Sequence, residues 1–243
     1  AFNHFLRVSG AAALSGEAIA GCHDRGRYYL SKTRDDISYY KNRAEDLLKN
    51  ASPLMDIYRK DSARGLRAFL LADAESSGKR RNILSVPPLY SAEPEFLEEL
   101  LKKREIPAED IDNILEFARS QRELAEKILK NGGITDEIPI ISREEFERHP
   151  AVLPLSGMFY GKDIRLTYDE YSEHIRQTER FMQTHENYIA EFTKANAFRN
   201  LQILIHEGQW AMISKGNAPA IHFVIHHPKL RSAIENFIPP VIE

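Results

Sequence analysis

Leu201-Gln202-Ile203-Leu204-Ile205-His206-Glu207-Gly208-Gln209-Trp210-Ala211-Met212-Ile213-Ser214-Lys215 reads as two apolar strands joined by a tight turn. The Glu207-Gly208 pair is the signal, because a glycine supplies the backbone freedom that a short hairpin needs. Ala220–His226 downstream and Tyr188–Thr193 upstream are further short apolar or alternating runs, each of strand length. Helical patterns bracket them. Thr167 with Glu170 forms a capping box ahead of Tyr168, Tyr171 and Ile175, and Pro228 opens a terminal segment with Leu230, Ala233, Ile234 and Phe237 on one side. The unit is helix, three or four strands, helix, which suits a small antiparallel sheet covered by helices.

Outward from this unit the sequence reads as helical. Pro94 and Pro107 begin two helices, the second carrying Ile111, Ile114, Ala118, Ala125 and Leu129 along one face until Gly132-Gly133 ends it. Ile138–Ile141 is a short strand candidate, and Ser142 with Glu145 opens a short helix. Ile37, Tyr40, Ala44, Leu47 and Leu48 recur at helical spacing after a polar start. Ser52-Pro53 offers a cap and first-turn proline for a further helix bearing Leu66, Phe69 and Leu70, and Ile83–Val86 is a strand candidate stopped by Pro87-Pro88. The expected fold class is therefore α+β: helical N-terminal and middle regions with a small C-terminal antiparallel sheet flanked by helices. The expected division is a helical linker and dimerisation region over 1–80 and an α+β sensor-like domain over 81–243.

Composition narrows the function classes. The chain has 243 residues and a single cysteine, Cys22, so an internal disulfide is excluded and the cytoplasm is the expected compartment. No apolar run approaches a membrane span, and no membrane partner is expected. Residues 1–90 carry 15 Lys/Arg against 10 Asp/Glu, so the basic half is where a polyanion would be met. The sequence starts at Ala1 without an initiator methionine, as a fragment or a processed chain would.

Several constellations could carry chemistry. On a strand, His222, Val224 and His226 share one face while Ile221, Phe223 and Ile225 share the other. A metal site would need His206 or Glu207 from the neighbouring strand as a further ligand; the simpler reading is an apolar face on helices and a semi-polar face outward. No nucleophile elbow, P-loop or dinucleotide fingerprint is present, and Cys22 beside His23 does not make a catalytic pair on a helix. The carboxylate pairs Glu98-Glu99, Glu109-Asp110 and Glu144-Glu145 sit on charged helical faces. Tyr90, Phe159, Tyr160, Tyr168 and Tyr171 either line a pocket or fill a core.

Two stretches carry a resemblance. Phe5-Leu6-Arg7 with Leu14-Ser15-Gly16-Glu17-Ala18-Ile19-Ala20 is similar to the closing helices of the DNA-binding domain in bacterial lambda-repressor-like (XRE-type) helix-turn-helix regulators. The recognition helix that would precede it is absent. The stretch quoted first, together with Ile221–Pro228, resembles the ends of large C-terminal domains attached to such regulators in Firmicutes-type bacteria. The resemblance implies a remnant of a DNA-binding domain at 1–30, a sensing or dimerisation role, and no catalytic residue.

The expectation from the sequence is a ligand-sensing and oligomerisation region of a transcription regulator, without catalysis, metal or cofactor of its own. It forms a homodimer through the Ile37–Leu48 helix, meets DNA through an N-terminal domain mostly absent from this chain, and responds to a small-molecule or peptide effector. The expected ligand contacts are Tyr160, Tyr168, His206, Trp210 and His222. The alternative is a metal-dependent hydrolase using His206, His222 and His226; a plain protein-interaction module is a third reading.

Overall fold

The alanine-rich N-terminal segment folds as a β-meander, where the sequence reading placed helices. In the computed structural model, which describes residues 2–194 and 199–239, β1 (Phe2–Val8), β2 (Ala13–Ile19) and β3 (Cys22–Ser31) pair in that order, antiparallel throughout. Glycines at 10, 16, 21 and 26 each cost a helix about 1 kcal/mol relative to alanine. Phe5 on β1 and Tyr28 and Tyr29 on β3 suit a pleated surface. Ser9 closes the first turn, its N–H donating to the Ala12 carbonyl at 2.9 Å, and Gly21, at φ +82°, closes the second. The resemblance to closing helices therefore falls on strands. α1 (Arg34–Lys49) follows, capped by Thr33, whose hydroxyl accepts from the Asp36 N–H, and it buries none of its residues.

The chain divides into two compact units, Ala1–Pro53 and Leu54–Glu243. The division falls after residue 53, not after residue 80. Residue 80 lies within a central strand of the second unit.

That second unit is built on a seven-stranded mixed sheet. Its strands are β4 (Met55–Tyr58), β5 (Gly78–Ile83), β6 (Gly132–Pro139), β7 (Tyr188–Thr193), β8 (Gln202–His206), β9 (Trp210–Lys215) and β10 (Ile221–Ile225). Their spatial order is β4-β10-β9-β8-β5-β6-β7, with β5-β6 and β6-β7 parallel and the other pairs antiparallel. This corrects the expected fold class. With 44% helix and 28% strand, the chain is a mixed α/β protein, not a helical chain with a small C-terminal sheet. Parallel strands need long crossovers. Here α3 (Pro94–Lys103) and α4 (Ala108–Asn131) connect β5 to β6. α5 (Arg143–Arg148), α6 (Ser156–Phe159) and α7 (Tyr168–Thr184) connect β6 to β7.

Period-2 alternation splits the sheet into two faces. One packs on helices: Leu66 of α2 (Ala63–Ala74) meets Met212 and Val224, while Ala125 and Leu129 of α4 meet Ile134, Ile138 and Tyr188. The other carries Ile83, Ile203, Ile205 and Ala211, packed against Ile234 of α8 (Pro228–Glu235) and Phe237 beyond it. His222 and Val224 lie on the first face, so the semi-polar side of β10 faces inward to α2. The helix expected directly after Ser52-Pro53 is displaced: β4 and a 3₁₀ turn at Lys60–Ser62 intervene before α2 begins. The capping box at Thr167 and Glu170 is present, with Thr167 accepting from the Glu170 N–H at 3.2 Å and Glu170 accepting from the Thr167 N–H at 2.8 Å. Among the described residues, no helix is long and apolar enough to cross a membrane.

Candidate functional site

α2 and α4 pack against each other, and with residues 154–159 and the sheet they line a cavity of about 390 Å³. Its walls follow from helical spacing. Phe117, Gln121 and Leu124 of α4 recur at i, i+4 and i+7, and Ala63, Leu66 and Leu70 of α2 do nearly the same. Leu155, Met158 and Phe159 close one side. The floor is the sheet itself, with Asn82 of β5, Gln202 and Leu204 of β8, Met212 and Ser214 of β9, and His222 of β10. The lining is mostly apolar with a few convergent polar groups, the composition of a small-molecule site.

The polar groups differ in how they are satisfied. His222 is 2% exposed, and its Nδ1 lies 2.7 Å from the buried Ser214 hydroxyl. Its Nε2 is buried with no hydrogen-bond partner among the described residues. Ser214 has no other acceptor there for its hydroxyl hydrogen, so the arrangement that uses it has Ser214 donate to Nδ1 and leaves the ring hydrogen on Nε2. In that tautomer Nε2–H is a buried donor without an acceptor among the described residues. Buried donors of that kind are rare in folded proteins and cost about 1–3 kcal/mol each.

At the mouth, Arg64 and Arg67 are exposed and make no hydrogen bond or ion pair among the described residues. Lys127 donates to Glu75 at 2.9 Å, and Glu123 is the carboxylate on the lining. Below the floor, the fully buried Asp136 accepts from Asn82 at 2.8 Å, from Tyr188 at 2.8 Å and from Tyr90. Asn82 and Tyr90 also line the cavity, so Asp136 fixes two lining side chains.

Burial sets the titration of these groups. It pushes His222 down to about 4, and His174, buried beneath the Pro88–Ser91 turn, down to about 4 as well. For both, the unfolded chain takes a proton near 6.5 before the folded one does, so their stabilisation is complete above pH 6.5 and is lost as pH falls towards 4. Each is worth about 3 kcal/mol over that window. Asp136 has the opposite sign. Burial, partly offset by its three hydrogen bonds, raises it to about 6, so it removes about 3 kcal/mol as pH rises from 3.8 through 6. Acidification from pH 6.5 to 4 is therefore expected to cost a net of about 3 kcal/mol, read from urea midpoints at each pH. Asp136→Asn should roughly double that loss. A flat profile would show that the histidines are solvated.

Of the five expected contact residues, only His222 lines the cavity. Tyr160 packs against the α3–α4–α7 core with the Lys162 ammonium 5.9 Å from its ring, and Tyr168 carries the Arg143 guanidinium at 4.4 Å. His206 and Trp210 both spend a ring nitrogen on Asp73 Oδ1, each at 2.7 Å, inside the core. The three histidines of the metal reading do not converge. His206 meets Asp73, His222 meets Ser214, and the half-exposed His226 meets Asp56 at 3.4 Å. Among the described residues, no group of three or more His, Cys, Asp or Glu side chains could hold a metal ion. Cys22 opens β3, where neighbouring His23 points to the opposite face.

Arg64, Arg67, Phe117 and Leu124 were not singled out from the sequence, where they read as ordinary helix faces. A signal existed: α4 carries Phe117, Gln121 and Leu124 as a stripe beside its fully apolar one, too polar for a core seam. No family model, curated protein or solved structure matches the chain.

Proposed function

We propose that the second unit is a ligand-sensing domain whose α2–α4 cavity takes a small-molecule or short-peptide effector, and that the chain belongs to a transcription regulator without catalysis of its own. The observation that carries the sensing part is the unpartnered His222 N–H beside an apolar cavity of about 390 Å³. A ligand oxygen would satisfy it. The regulator part rests on the resemblance of the Leu201–Pro228 segment. The DNA contact would come from outside the first unit, whose helix among the described residues is α1.

Homodimerisation through α1 belongs to the same proposal. Leu47 and Leu48, on the seam that runs from Ile37, are 60% and 72% exposed, an apolar surface that a second copy would cover. An effector would act by binding one arrangement of the dimer more tightly than another. Native mass spectrometry of the purified chain reads both parts: the expected result is a dimer retaining a small molecule. A ligand-free monomer that binds none of the probes named below would overturn it.

A further inference from the structure

We infer that the ligand of the α2–α4 cavity is an amphipathic carboxylate, an apolar body ending in acceptor oxygens; this rests on reading the cavity as a ligand site. Three observations define the class. The apolar body follows from Leu70, Phe117, Leu124, Leu155, Met158 and Leu204, half-buried side chains that present hydrocarbon to the cavity. The acceptor follows from His222, whose buried Nε2, protonated when Ser214 donates to Nδ1, has no partner among the described residues. The negative charge follows from Arg64 and Arg67, neighbours on α2 that reach the lining with no carboxylate paired to either among the described residues.

The charge balance supports an anion over a cation. The ionisable groups lining the cavity are Arg64, Arg67, Lys127, Glu123, Tyr90 and His222. Lys127 is engaged by Glu75, and burial keeps His222 neutral and Tyr90 protonated at neutral pH. Two unpaired guanidinium groups against one carboxylate leave the mouth positive. Guanidinium recognises carboxylate through paired, charge-assisted hydrogen bonds that a hydroxyl makes weakly and an ammonium repels. Two sources share this chemistry, an acyl chain and the C-terminus of an apolar peptide.

Titration calorimetry of the full chain with octanoate, octanol, octylamine and N-acetyl-trileucine tests the class and separates the sources. Octanoate or the peptide is expected to bind about tenfold more tightly than octanol, with octylamine weakest. Preference for octanoate identifies the acyl source, and preference for the peptide identifies the C-terminus. The double change Arg64→Gln with Arg67→Gln, on exposed positions, should cost the carboxylate about tenfold and leave octanol nearly unchanged. His222→Phe should weaken octanoate and octanol alike. Should it misfold, raising salt from about 0.05 to 0.5 M gives an independent reading, since screening weakens only the anionic ligand. Equal binding of octanoate, octanol and octylamine would overturn the carboxylate class and leave the cavity reading intact. No binding of any probe at about 1 mM would overturn the cavity reading itself.

Discussion

Replacing Asp73 by alanine is expected to remove about 3–5 kcal/mol of folding stability, enough to leave a domain of ordinary stability near its unfolding limit. Asp73 closes the C-terminal end of α2 onto the sheet. Its Oδ2 accepts from Arg80 Nε at 3.2 Å and Nη2 at 2.9 Å, and its Oδ1 faces His206 Nδ1 and accepts from Trp210 Nε1. The Asp73 and Arg80 side chains are 9% and 4% exposed, so deletion of the carboxylate strands a buried guanidinium without its counter-charge. The cost comes from that stranded charge more than from the lost pairing. Asp73→Asn keeps an acceptor for Trp210 and should lose less. Urea unfolding followed by the fluorescence of Trp210, the chain's single tryptophan, gives both values. A loss below about 1 kcal/mol for the alanine variant would mean the cluster is hydrated in solution.

Gly132→Ala is expected to cost about 3 kcal/mol or more, through backbone and not side-chain crowding. α4 runs directly into β6 at this residue, and Gly132 pairs with Gly78 at the start of the parallel β5-β6 ladder. A Cβ there would sit 2.0 Å from the Gly78 carbonyl oxygen and 2.9 Å from its carbon. Neither atom belongs to a movable side chain, so the two strands must separate. Gly208→Ala in the hairpin turn is the contrast, since its Cβ meets nothing within 4 Å and only its φ of +75° is unfavourable. That variant should lose about 1 kcal/mol. Similar losses for the two would contradict the close β5-β6 approach.

These two sites mark the boundary between what the chain reveals locally and what it conceals. Local signals carried through. Thr167 and Glu170, Pro94, Pro107, Gly132-Gly133 and Glu207-Gly208 mark termini and turns because the groups that satisfy each are within a few residues. Long-range pairing did not. β5 lies beside β6 in parallel register and beside β8 in antiparallel register, partners far away in sequence, so the mixed sheet was read as a small antiparallel one. The N-terminal error had another cause: the alanines of 11–20 favour a helix in isolation, and the strand pairing of β1, β2 and β3 overrides that preference.

The site divides in the same way. His222 was legible as a semi-polar ring on an apolar strand. His206 and Trp210 carried the same signal, yet Asp73, more than 130 residues away, takes their ring nitrogens. Arg80 and Arg81, part of the basic excess of residues 1–90, are paired with Asp73 and with Glu137. Arg64 and Arg67 have no partner among the described residues, and only the fold shows that they border a cavity.

The most direct test of the central claim compares the wild-type chain with Leu124→Trp by native mass spectrometry after matched purification, with circular dichroism to confirm that both fold. Leu124 is half-buried on the cavity wall, so the indole fills the space between α2 and α4 without entering the packed core. The expected result is a small-molecule adduct, or bound octanoate after addition, on the wild type and none on the variant. Equal loading of both folded proteins would place the ligand elsewhere and contradict the assignment of the cavity.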